Sequence, residues 1–175
     1  MKYLRSLVVV LLMVSCNAIR VNYDYDKGAD FSAYTTYNYY ADMETGLSEL
    51  DLGRLLGAMD IALQTKGLLF SEEPDMWINI KSNTFSMQPN NTVGVGVGGA
   101  GRSVGGGLSI GIPVGQANVQ REIQFDFVDA KKNRLFWQAT SSSSFKENVA
   151  PIERERMLKE LVDKVLAKYP PKTKK

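Results

Sequence analysis

Histidine is absent from the 175 residues of this chain, and cysteine occurs once, at Cys16. The first absence removes the usual base for a serine or cysteine nucleophile and the commonest ligand of zinc. The second removes any intramolecular disulfide, because a lone thiol has nothing to pair with. Long apolar runs are missing too. The longest, residues 7–14, falls short of the about 20 residues that a helix needs to cross a bilayer. Charge of one sign is equally scarce. Of 21 basic and 19 acidic residues, Lys2 and Arg5 lie ahead of that apolar run, so residues 16–175 hold 19 of each sign. The broad basic footprint of a nucleic-acid-binding domain is therefore lacking.

What is present begins at the N-terminus. Lys2 and Arg5, the apolar run, then Ser15 and Cys16 follow the layout of an export signal: a cationic start, a short apolar stretch and a small-residue cleavage point. The tetrad Met13-Val14-Ser15-Cys16 resembles the lipobox of bacterial lipoproteins, with Met where Leu is usual. That resemblance implies removal of residues 1–15, a diacylglycerol on the Cys16 sulfur and a third acyl chain on its amine. Each buried methylene contributes about 0.8 kcal/mol, so several chains make such an attachment effectively permanent. Asn17, and not Asp, follows the cysteine, which by analogy with lipoprotein sorting directs the chain to the outer membrane. On this reading residues 16–18 are a lipidated start and short tether, residues 19–170 a single domain, and residues 171–175 a basic tail. A chain of this length can bury a proper core.

Within the domain, hydrophobic periodicity alternates between strand and helix. Ile19, Val21, Tyr23 and Tyr25 recur at period two, as do residues of 35–41, where Tyr37, Tyr39 and Tyr40 cluster. Residues 48–66 change period: Leu52, Leu55, Leu56, Met59 and Leu63 share a helical face, with Ser48 as N-cap, Gly67 past the end, and Asp51, Arg54 and Asp60 placed off that face. Met76, Ile78 and Ile80 open a third strand reaching toward Met87. Residues 94–115 hold ten of the 15 glycines and read as a glycine-rich hairpin or loop with little to hold its register. Val119, Ile123, Phe125 and Phe127, a loop over 129–133, and the stretch 135–145 predict a hairpin. A last helix starts at Pro151 with Asn148 as candidate cap, presents Leu158, Leu161, Val162 and Val165, and stops at Pro170-Pro171.

Several catalytic patterns match and fail on context. Gly94, Gly96 and Gly99 spell a dinucleotide-binding fingerprint, but no helix-forming sequence follows to receive a pyrophosphate. Ser103 and Ser109 each sit in a G-x-S-x-G frame, yet a nucleophile elbow needs a histidine that this chain does not contain. Asp24, Asp26 and Asp30 do not keep the spacing of a calcium loop. No catalytic residue, metal ligand or cofactor is indicated. Tyr37, Tyr39, Trp77 and Trp137 are the candidate ligand or partner surface, weighed against the commoner use of such rings in a core.

Taken together, the lipobox at Cys16, VNYDYDKGADFSAYTTYNYY (21–40), EEPDMWINI ahead of a glycine-rich insert, FDFVDAKKNRLFWQAT, and a helix ending in AKYPP resemble the domain-of-unknown-function 4136 family of bacterial envelope lipoproteins. The resemblance implies an α+β fold, a twisted and mostly antiparallel sheet packed by two amphipathic helices, and no known activity or cofactor. The expected function is a non-enzymatic binding or interaction module. It would be held at the outer membrane through Cys16 and would engage an envelope protein partner and no nucleic acid. Binding of a small lipid or glycan is the alternative, and a hydrolase working with carboxylates alone comes third.

Overall fold

The computed structural model describes residues 19–87, 92–96, 109–113 and 118–172. The leader, Cys16, the tether, the glycine-rich tip with Gly99 and Ser103, and residues 173–175 of the tail lie outside the described residues. In chain order the strands and α-helices are β1 (Arg20–Tyr25), β2 (Thr36–Tyr39), α1 (Glu49–Thr65), β3 (Leu69–Phe70), β4 (Met76–Met87), β5 (Thr92–Gly96), β6 (Ser109–Pro113), β7 (Asn118–Asp129), β8 (Arg134–Ser144) and α2 (Pro151–Leu166), with a 3-10 turn over Phe31–Ala33 between β1 and β2. Six strands form one sheet in the order β1-β8-β7-β4-β2-β3, and β5 pairs with β6 as a separate ribbon. The fold is α+β, as the sequence predicts.

Three of the five pairings in the main sheet are antiparallel, and β2 runs parallel to both β4 and β3. The parallel part follows from connectivity: α1 carries the chain back along the sheet between β2 and β3, the crossover that parallel neighbours require. The two-residue strand β3 was too short to announce itself by alternation.

Period two sorts the sheet into two unlike faces. Tyr37, Met76, Ile78, Ile80, Ile123, Phe125, Phe127, Trp137 and Ala139 fall on one face and are buried. Against them pack Leu55, Met59 and Leu63 of α1 and Leu158, Leu161, Val162 and Val165 of α2, all in one core cluster. Alternation alone would send Phe136 to the opposite face from Trp137. A bulge between Phe127 and Val128 pairs Phe127 with Trp137 and Val128 with Leu135, leaving Phe136 as the extra residue. Phe136 therefore turns inward as well, where Tyr34 stacks on it at 3.9 Å and Phe31 meets it edge-on at 5.7 Å. Tyr169, just after α2, closes this end by packing on Phe127 and Trp137. The indole Nε1 of Trp137 is buried there without a hydrogen-bond partner among the described residues.

Helix ends follow the sequence in part. The Ser48 hydroxyl accepts from the Asp51 amide at 3.3 Å, and Gly67 takes the left-handed conformation, φ 84°, just past α1. At α2 the expected cap is wrong. Ala150 holds the N-cap position and no side chain caps the helix. Pro151 at the first helical position has no amide hydrogen to satisfy, which lessens the need for one.

Asp75 clamps β2 to the start of β4. Its Oδ2 accepts from the amides and hydroxyls of Thr35 and Thr36 at 2.9–3.1 Å, and its own amide donates to the Thr36 hydroxyl. The Thr35 amide foremost, with the hydroxyls and the Thr36 amide, holds the carboxyl below its ordinary 3.8 against a desolvation that raises it. A depressed folded value means this contribution is whole above the unfolded value and is lost as pH falls through the folded one. The urea midpoint of the parent should therefore fall below pH 3.8, whereas Asp75→Ala should start lower at neutral pH and fall less. Parallel curves would refute the clamp.

Two glycines give opposite expectations. Gly46 has φ 66°, and a Cβ there would meet the Ser82 carbonyl oxygen at 2.6 Å, while a Cβ on Gly53 in α1 would touch nothing within 4 Å. Gly46→Ala should cost about 1–3 kcal/mol and Gly53→Ala should add about 0.5–1 kcal/mol, both read from urea denaturation.

Candidate functional site

The four aromatic residues singled out in the sequence do not form one surface. Tyr37 and Trp137 are fully buried, so neither can meet a ligand or partner; period two and the bulge in β8 point both rings into the core. Tyr39 is half-buried, and its hydroxyl and that of Tyr37 donate to the same oxygen of Asp60 on α1, at 2.7 and 2.8 Å. Burial first, and the Asp60 carboxylate second, push both phenols well above their usual value. These tyrosines anchor α1 to β2. Trp77 alone of the four lies on the open face of the sheet, stacked on Tyr40 at 5.5 Å. A shallow groove of about 520 Å³ runs beside Tyr40, with Asn79, Lys81 and Asp126 on its floor. The Asp126 carboxylate there accepts from the side-chain amides of Gln124 and Gln138 at 2.7–3.1 Å.

The acids weighed for calcium also have local partners. Asp24 accepts from the Tyr25 amide, Asp26 from the Gly28 amide and Arg134, and Asp30 from the amide and hydroxyl of Ser32. At the far edge of β7, Asp129 accepts from the amides of Lys131 and Lys132 and from the Tyr34 hydroxyl. Burial opposes its ionisation, and these donors hold it low nonetheless. Tyr34 is pushed up to about 12, by burial first and then by this hydrogen bond.

A second concavity, about 590 Å³, lies between the first turns of α2 and the end of the sheet where β7 begins and β8 finishes. Ile19, Val149 and Met157 supply the accessible apolar wall, with the buried Ile123, Leu158 and Leu161 behind it, and Arg121, Lys146, Arg154 and Arg156 supply four cations against Glu153 and Glu160. The two acids are bridged by Arg156, at 2.6 Å to Glu153 and 3.4 Å to Glu160.

Arg121 and Arg154 are the unusual pair. Both guanidiniums pack on the Phe145 ring, at 3.5 and 4.8 Å from its centroid. Behind them stands Asp51, whose carboxylate meets Arg54 at 3.2 Å, Arg121 at 3.4 Å and Arg154 at 3.8 Å. The side chains of Arg121, Arg154 and Asp51 are only 14, 11 and 11% exposed. Burial first, aided by the like charge of Arg154, pulls the Arg121 guanidinium below its ordinary value, and Asp51 opposes that shift. Three guanidiniums thus share one carboxylate in a largely desolvated setting, which leaves the cluster positive.

Local structure explains why these groups converge. Asp51 lies four residues before Leu55 and eight before Met59, so it continues the buried row of α1 by one turn. Arg154 does the same for α2, four residues ahead of Leu158. Arg121 precedes Ile123 by two on β7 and so shares its inward face. Periodicity counted on apolar residues alone places Asp51 off the apolar face, yet it is buried with that row. A charge in phase with an apolar row was the signal available.

Residues 21–171 match the family model described as a domain of unknown function, DUF4136. Among curated proteins, none matches the chain by sequence. Among solved structures, the crystal structure of a PDZ domain protein from Parabacteroides distasonis ATCC 8503 is similar at a TM-score of 0.57 and 12% identity, over 95% of this chain and 40% of that one. The chain therefore spans about 40% of that protein's length. A PelC dodecamer structure from Paraburkholderia phytofirmans is similar at a TM-score of 0.49 and 10% identity, over 86% of this chain and 96% of that one. The first likeness concerns the fold alone, and the second is too slight to argue from.

Removing the shared carboxylate should be costly. Asp51→Asn leaves three guanidiniums without an anion and should lower stability by about 3 kcal/mol. Glu160→Gln, which relieves only exposed pairs, should change it by less than about 1 kcal/mol. Urea denaturation of the two variants measures the difference, and equal small effects would show that the cluster is not coupled.

Proposed function

The chain belongs to the DUF4136 family, domains of unknown function, and from that premise we propose that it is an exported envelope lipoprotein whose domain is a binding module and not an enzyme. Cys16 carries the lipid, the outer membrane is its site, and the cleft beside α2 is where the ligand sits. The observation that carries this reading is the cleft itself, where buried guanidiniums meet an apolar wall. A few placed polar groups in a mostly apolar concavity are the usual make-up of a ligand site.

The leader and the cleft support one another. Ile19 lines the cleft and is three residues from Cys16, a separation of at most about 11 Å even when fully extended. A lipid on Cys16 would hold the cleft near the membrane surface. Among the described residues no helix is long and apolar enough to cross a membrane.

A second reading is favoured by the open face. The Trp77–Tyr40 stack beside Asn79 and the amide-bound Asp126 combines an aromatic surface with hydrogen-bonding groups, a composition suited to a glycan or to a partner protein of the envelope.

Anchoring is tested by fractionation. The parent should sediment with membranes and Cys16→Ser should move to the soluble fraction. If the variant sediments as the parent does, the lipoprotein reading fails.

A further inference from the structure

We infer that the cleft binds the phosphate ester of an anionic amphiphile, with the phosphate against Arg121 and Arg154 and the hydrocarbon against Ile19, Val149 and Met157. This deepens the reading of the cleft as a binding site and rests on it.

Charge is the first reason. Arg54, Arg121 and Arg154 share the single carboxylate of Asp51, and the acids on the cleft wall, Glu153 and Glu160, are already engaged by Arg156. Cations held this far from water are stable when an anion completes their neutralisation.

Donor geometry is the second. A guanidinium has five N–H donors. Arg121 directs Nε to the Thr84 hydroxyl and Nη1 to Asp51, and Arg154 directs Nη2 to the carbonyls of Lys146 and Glu147. Each therefore has donors beyond those bonds. Packing on Phe145 restrains both guanidiniums in advance, which favours anion recognition by the two together. A phosphate ester has enough oxygens to accept from both guanidiniums and from Lys146 at the rim. A carboxylate has two.

The third reason is that polar and apolar walls are continuous. A free inorganic anion would leave the partly exposed Ile19, Val149 and Met157 facing water, whereas an amphiphile covers them. The volume of about 590 Å³ lies within the about 300–1,000 Å³ of small-molecule sites. The route from Ile19 back to Cys16 would place the cleft within reach of headgroups in the anchoring membrane.

The test uses the full chain in a non-ionic detergent, titrated calorimetrically with dihexanoylphosphatidylglycerol, dihexanoylphosphatidylcholine and inorganic phosphate. The phosphatidylglycerol should bind at least about tenfold more tightly than the zwitterionic lipid, and Arg154→Gln should weaken it by about tenfold or more. Lys146→Gln, exposed and outside the Asp51 cluster, keeps the fold intact and should weaken it by about threefold. Inorganic phosphate binding as tightly as the lipid would support the anion site and assign it to free phosphate. No binding by either, equal binding of the two lipids, or affinity unchanged in both variants would overturn the inference. Detergent makes the outcome independent of lipid on Cys16, so failure here and failure of the anchor reading are separable.

Discussion

The carboxylate of Asp51 is where three separate parts of the chain meet. Arg54 comes from its own helix, Arg121 from β7 and Arg154 from α2, so a single acid ties both helices to the end of the sheet. Without it, three guanidiniums would repel one another at a place where water cannot screen them well. The apolar rows of α1 and α2 run down to this point and are continued by charge. That change from Leu to Asp and from Leu to Arg, in phase with each row, opens the cleft at the end of an otherwise continuous core.

The opposite end of the domain is closed by different means. Phe31, Tyr34, Phe136 and Tyr169 crowd around Phe127 and Trp137, and Tyr34 and Tyr37 satisfy their hydroxyls on Asp129 and Asp60. Rings with one polar handle suit a place where the core meets the surface. One end is thus packed with aromatic rings and the other is held by ions. The ionic end holds the cleft of about 590 Å³ between α2 and the sheet, and Ile19 lies there.

Placement links the two halves of the functional reading. If Cys16 carries the proposed lipid, the domain would sample only what lies close to the membrane, and even modest affinity for a headgroup would be reinforced by proximity. The cationic wall and the anchor would act together, in the way that two weak membrane signals combine where one alone is marginal. Likeness to the PDZ domain protein concerns the fold, and the chemistry must be read from Arg121, Arg154 and their neighbours.

Local periodicity was enough to determine the strands from Met76 and through the 118–144 hairpin, the helix capped by Ser48, and the apolar rows at Leu55, Met59, Leu158 and Val165, because each depends on neighbours within a turn or a strand. The resemblance of residues 13–16 to a lipobox is likewise a matter of adjacent residues. Tertiary structure alone decided the parallel pairing of β2, the inward turn of Phe136, the burial of Tyr37 and Trp137, and the meeting of Asp51 with Arg121 and Arg154. These rest on contacts between residues 70 or more positions apart for Arg121, and on a bulge that alternation cannot express. The sequence could say that Asp51 is acidic and near a helix start. Only packing could say that it faces inward and that three arginines would be waiting there.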